Sequence, residues 1–143
     1  MRRSVVLALT LALVACTGAA EETEGGDGLP VQNPAETYGH DSAEISGTVT
    51  LEPNGCWTID LGDGKRLLVF PAGYTMDNEL ALMLSPDGQV DVGDGDLITG
   101  LGGVVSAEGF PGVPDGFWGN YLAFCEPEIG AFAVVDEITS VDV

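Results

Sequence analysis

From Glu44 to Glu52 polar and apolar residues alternate without a break, Ile45, Gly47, Val49 and Leu51 on one side and Glu44, Ser46, Thr48, Thr50 and Glu52 on the other. This period of two predicts a strand with one face buried. Pro53-Asn54-Gly55 follows, and Asn-Gly tolerates the positive φ angles of a tight hairpin turn. A second strand is therefore expected over 56–61, with Trp57, Ile59 and Leu61 on its inner face. Asp63-Gly64 turns the chain again into Lys65–Phe70, where Leu67-Leu68-Val69-Phe70 is apolar on both faces and predicts a strand covered on both sides. Together these make an antiparallel meander.

Further along the pattern is less regular. Pro71-Ala72-Gly73 ends the third strand. Residues 79–84 have helical propensity but little length, and Ser85-Pro86-Asp87-Gly88 directly after them favours a short hairpin with 89–92. Gly93-Asp94-Gly95-Asp96 leads into a strand over Leu97–Ser106, whose Gly100, Gly102 and Gly103 permit sharp coiling or a close backbone approach. A long loop is expected over 107–120, strands over Tyr121–Cys125 and Ala131–Val135, and a partly paired acidic tail over 136–143. No segment reads as a long amphipathic helix. The expected class is all-β, a small Greek-key, OB-like barrel of five to seven strands, with a small β-sandwich as the alternative.

The first residues carry a different signal. Arg2 and Arg3 precede an apolar run from Val5 to Ala15, broken by Thr10, which is shorter than the roughly 20 residues a bilayer-spanning helix needs. It ends in Leu13-Val14-Ala15-Cys16, which resembles the lipobox of bacterial lipoproteins. That resemblance implies a signal peptide over 1–15, a lipid on Cys16 and a protein tethered outside the cytoplasm. An ordinary cleaved signal is the alternative. Residues 16–42, with Glu21-Glu22-Thr23-Glu24-Gly25-Gly26-Asp27-Gly28 and then Pro30 and Pro34, are expected to form a disordered acidic linker, with His40 as an exposed loop residue at its end. The folded domain is expected over 43–143.

Charge and cysteine content narrow the picture. Four basic residues face 23 acids, and removing Arg2 and Arg3 with the leader leaves 2 − 23 = −21. Such a surface repels phosphate backbones, which excludes nucleic acid and favours cations or basic proteins as partners; solubility or salt adaptation accounts for the same charge. With Cys16 set aside for lipid, Cys56 and Cys125 remain, and an oxidising compartment predicts a bridge between them. In its order of features the domain also resembles small extracytoplasmic bacterial lipoproteins over roughly residues 43–136, a resemblance that brings no functional residues with it.

Candidate chemistry is sparse. The chain has one histidine, no Cys-x-x-Cys and no Gly-x-Ser-x-Gly, so the usual nucleophile and base pairs are missing and a non-enzymatic role is expected. Asp87, Asp91, Asp94 and Asp96 lie close together among glycines and are a candidate calcium site, though their spacing matches no known calcium loop and solvated turns explain them as well. Phe110, Phe117 and Trp118 in the long loop either plug an end of the barrel or present an aromatic platform to a ligand. The functional expectation is a lipid-anchored, non-catalytic binding or scaffolding module at the cell envelope, for a protein or surface polymer. A calcium-binding module or a small enzyme using paired carboxylates is the alternative.

Overall fold

The computed structural model describes residues 28–125 and 128–143. Eight strands are found among them: β1 (Ala43–Leu51), β2 (Trp57–Asp60), β3 (Lys65–Val69), β4 (Thr75–Asp77), β5 (Leu82–Leu84), β6 (Asp91–Val92), β7 (Leu97–Ser106) and β8 (Ala131–Asp142). A 3-10 turn at Ala107–Gly109 and one helix, α1 (Phe117–Cys125), separate the last two.

Five strands close into a barrel in the order β1-β2-β3-β8-β7, with β4, β5 and β6 forming a small separate sheet. The β3–β8 pair is parallel, while β1–β2, β2–β3, β1–β7 and β7–β8 are antiparallel. In barrel strands that is the order 1-2-3-5-4 with a parallel closing pair, an OB-like all-β barrel. The meander behaves as its alternation requires. Ile45, Val49, Trp57, Ile59, Leu68 and Phe70 point inward and meet Ile98, Ala133, Val135 and Ile138 from the other strands. Met83 and Val92 of the small sheet pack into the same interior cluster.

Closure of so small a barrel depends on glycine. The β7–β8 register slips between Thr99 and Gly100 and again between Leu101 and Gly102. At these bulges a Cβ on Gly100 would overlap the Glu137 carbonyl, and one on Gly102 the Val134 carbonyl. Close backbone approach is thus the reason for the glycines.

Three expectations change. Tyr121–Cys125 is helical rather than extended, because Trp118, Tyr121, Leu122 and Cys125 recur at helical spacing and all pack on one apolar cluster. Residues 136–142 are no tail: β8 continues through them, pairing Glu137 with Leu101 and Asp142 with Leu97. Finally, residues 28–42 are packed rather than disordered. Val31 bridges Phe70 in parallel and is 4% exposed, and Tyr38, also 4% exposed, enters a second apolar cluster. Two apolar anchors with backbone bonds offset the ordering cost that composition alone seemed to forbid. Cys16 and residues 1–27 lie outside the described residues.

Candidate functional site

In OB barrels ligands lie across the second and third strands, between the loops that join strands one to two and four to five. Here the chain itself covers the adjacent face, that of the third and fifth barrel strands. Leu67 and Val69 of β3 and Phe132 and Val134 of β8 point outward, and Tyr38, Ala107, Phe110 and Trp118 cover them as the second cluster. Phe110 stacks on Phe132 at 4.0 Å between ring centroids, and Trp118 meets Phe110 edge-on at 5.4 Å. The Cys56–Cys125 disulfide ties the end of α1 to the loop before β2. Asn54 Nδ2 donates to the Cys125 carbonyl at 3.3 Å, and the Trp57 N–H donates to the Tyr121 hydroxyl at 3.1 Å.

This arrangement corrects the expected aromatic platform. Phe110 and Trp118 are 3% and 0% exposed, so neither offers a ring face to a ligand, and Phe117 packs partly buried against the same cluster. They plug no barrel end either, because they cover the outer face of β3 and β8. Among the aromatics of α1 it is Phe124, at 68%, that faces solvent.

The expected calcium ligands also disperse. Asp87 Oδ1 accepts from Ser85 Oγ at 2.6 Å and from the Gln89 N–H. Asp94 Oδ1 accepts from the Leu51 N–H at 2.9 Å, and Asp96 Oδ2 from the Gly93 N–H at 2.7 Å. Asp91 lies in β6. Asp87 and Asp96 each close their own turn and Asp94 ties its loop to the end of β1, and among the described residues no group of three or more His, Cys, Asp or Glu side chains converges to hold a metal.

His40, expected to be a solvated loop residue, is instead held. Its Nε2 lies 2.8 Å from Asp136 Oδ2, and its side chain is 10% exposed. Ser42 Oγ donates to the same oxygen at 2.7 Å, while Gln32 Nε2 reaches Asp136 Oδ1 at 3.3 Å and the Val135 carbonyl at 2.7 Å. Burial would raise the Asp136 pKa, but the hydrogen bonds from His40, Ser42 and Gln32 outweigh it and hold the carboxyl below the usual aspartate value. The serine bonds the aspartate rather than the histidine, and His40 Nδ1 is buried without a partner among the described residues. The cluster fastens the 28–42 segment to β8.

Another face of the barrel is left bare among the described residues. Three cross-strand rows run over β1, β7 and β8: Glu44–Leu101–Glu137, Ser46–Thr99–Ser140 and Thr48–Leu97–Asp142. Ser46 Oγ and Thr99 Oγ1 pair at 3.1 Å in the middle row. Leu97 and Leu101 are each 41% exposed, with Glu44, Glu137 and Asp142 exposed at the corners. At the β2 edge, Thr48, Thr50, Asp60, Gly62 and Lys65 line a shallow depression of about 480 Å³. Lys65 Nζ there lies 2.6 Å from Glu52 Oε1, and this bond holds the Glu52 carboxyl below its ordinary pKa.

Compared with protein-family models, with curated proteins and with solved structures, the chain matches none.

Proposed function

We infer that this chain is an exported, lipid-anchored envelope protein whose barrel docks, without catalysis, a basic partner protein on its bare β1–β7–β8 face. The observation that carries the reading is that face: two half-exposed leucines and a hydroxyl row, framed by Glu44, Glu137 and Asp142. Exposed apolar groups within a polar rim are the anatomy of a protein contact, and an acidic rim selects a basic counterpart. The anchor is supported by Leu13-Val14-Ala15-Cys16, and the Cys56–Cys125 bridge is compatible with an oxidising compartment. A non-catalytic role is supported by the enclosure of His40 and the engagement of both cysteines.

Two measurements test this. Detergent partitioning of Cys16→Ser should move the protein to the aqueous phase; unchanged partitioning removes the anchor. Solubilised envelope passed over the immobilised protein should yield a basic protein that the Leu97→Asp/Leu101→Asp variant fails to retain and that salt elutes. Retention of the same species by both variants, or of glycan alone, refutes the docking face.

A further inference from the structure

A second concavity lies between the β5–β6 hairpin and β8, beside the docking face and sharing Glu137 with it. It encloses about 350 Å³, with Tyr74, Pro86, Val90 and Ile138 among its apolar walls and Asp87, Asp136 and Glu137 as its charged groups. Among the described residues no basic side chain lines it. The geometry places hydrocarbon and negative charge in one groove, which is the complement of an ammonium group on an aliphatic stem.

Tyr74 makes the groove more than an acidic patch. It is 8% exposed, its ring packs 5.8 Å from that of Phe70, and its hydroxyl has no hydrogen-bond partner among the described residues. A nearly buried phenol that lines a cavity without a partner is a donor and acceptor left for a ligand. Burial holds its ionisation up, and the charges of Asp87 and Asp91 add to this, which places the hydroxyl within the field of those carboxylates. Of the lining acids, Asp136 is engaged by His40, Ser42 and Gln32, and Asp87 uses Oδ1 for its turn. Asp87 Oδ2 and the whole Glu137 carboxyl make no hydrogen bond among the described residues.

We propose that this groove is a binding site for a primary aliphatic ammonium group, with the cation between Asp87 and Glu137 and the stem laid along Tyr74 and Pro86. The same chemistry is offered by a free diamine and by a lysine side chain. The lining carboxylates supply charge-assisted acceptors, the Tyr74 hydroxyl an orienting one, and the ring face a favourable surface for the cation.

Full-length protein in detergent micelles, isotope-labelled for NMR, is titrated with cadaverine, with a blocked lysine amide and with pentan-1-ol, all at fixed ionic strength. Saturable shift changes at Tyr74, Val90 and Ile138 are expected for the two amines and not for the alcohol. A tighter cadaverine curve points to a free diamine, and equal curves point to a lysine side chain. Asp87→Asn/Glu137→Gln should weaken either amine by about tenfold or more, and Tyr74→Phe by less. Equal response to the alcohol overturns the proposal, as do shifts spread over the acidic surface or affinity unchanged in the carboxylate variant.

Discussion

The two outer faces of this barrel have had opposite fates. On β3 and the first part of β8 the outward apolar residues are Leu67, Val69, Phe132 and Val134, and a helix, a 3-10 turn and the 28–42 segment are laid over them. On β1 and the first half of β7 the outward residues are Glu44, Ser46, Thr48, Thr50, Leu97, Thr99 and Leu101, and among the described residues that face stays open, whereas Val105 at the far end of β7 packs with the covered cluster. Outward apolar side chains compel a covering layer, because leaving four of them wet forfeits about 1.5–3 kcal/mol each. Outward hydroxyls and acids compel nothing. Self-covering of the third and fifth barrel strands leaves β1, β2 and the adjoining half of β7 as the surface open among the described residues.

Breaking the covered face should give the largest effects. Trp118→Ala removes a fully buried indole from the centre of the outer layer and should cost about 3–5 kcal/mol, read as a lower urea midpoint. A midpoint within experimental error of the parent would mean that the layer is not packed as described. Next comes the disulfide, which closes a separation of 69 residues and holds α1 to the loop before β2. Cys56→Ser/Cys125→Ser should lose roughly 2–4 kcal/mol, with near-UV signals from Trp118 lost before those of the interior.

Alkali sharpens the same comparison. Burial pushes the pKa values of Tyr38 and Tyr121, both in the outer layer, up to about 12, against the opposing hydrogen bonds from Asn33 and Trp57. A raised pKa stabilises the protonated fold fully below the unfolded tyrosine value of about 10, and that contribution is lost as pH rises through about 12. Melting temperature should therefore fall across that window; a flat profile would show that the two phenols are solvated. The smallest stability effect belongs to the bare face. Leu97→Asp and Leu101→Asp should each stay within about 0.5 kcal/mol, because half-exposed side chains away from the core contribute little. A loss of several kcal/mol would mean that these leucines are structural.

How much of this was legible beforehand follows from the range of each signal. The alternation of 44–52 and the doubly apolar run 67–70 are local, and they place β1 and β3, down to the two-sided burial of β3. Leu97–Ser106 was bounded correctly by its flanking turns. The helix was missed although 118, 121, 122 and 125 stand at helical spacing, since nine aromatic-rich residues after a Pro/Gly loop resemble a strand just as well. Val31 and Tyr38 carry no periodicity, and their burial arises from partners far along the chain. The candidate sites failed for a related reason. Phe110 and Trp118 stood out as aromatics in a loop, but the outward apolar residues that claim them sit on β3 and β8. The four aspartates are neighbours in sequence only: Asp87 and Asp96 turn to local N–H or hydroxyl groups, Asp94 to the distant Leu51 N–H, and Asp91 is held in a strand. Leu97 and Leu101 become a face only once β7 pairs with β1, a contact across half the domain.

The central claim is that partners meet the bare face and not the covered one. A photo-crosslinking amino acid placed at Leu101 or at Phe124 in the full-length protein, and activated in intact cells, tests it most directly, because both positions are exposed and they lie on the two different sides. A discrete protein adduct from position 101, diminished by raised salt and absent from position 124, is the predicted result. An adduct from position 124 with none from 101 would contradict the account and move recognition to the helix that covers β3 and β8.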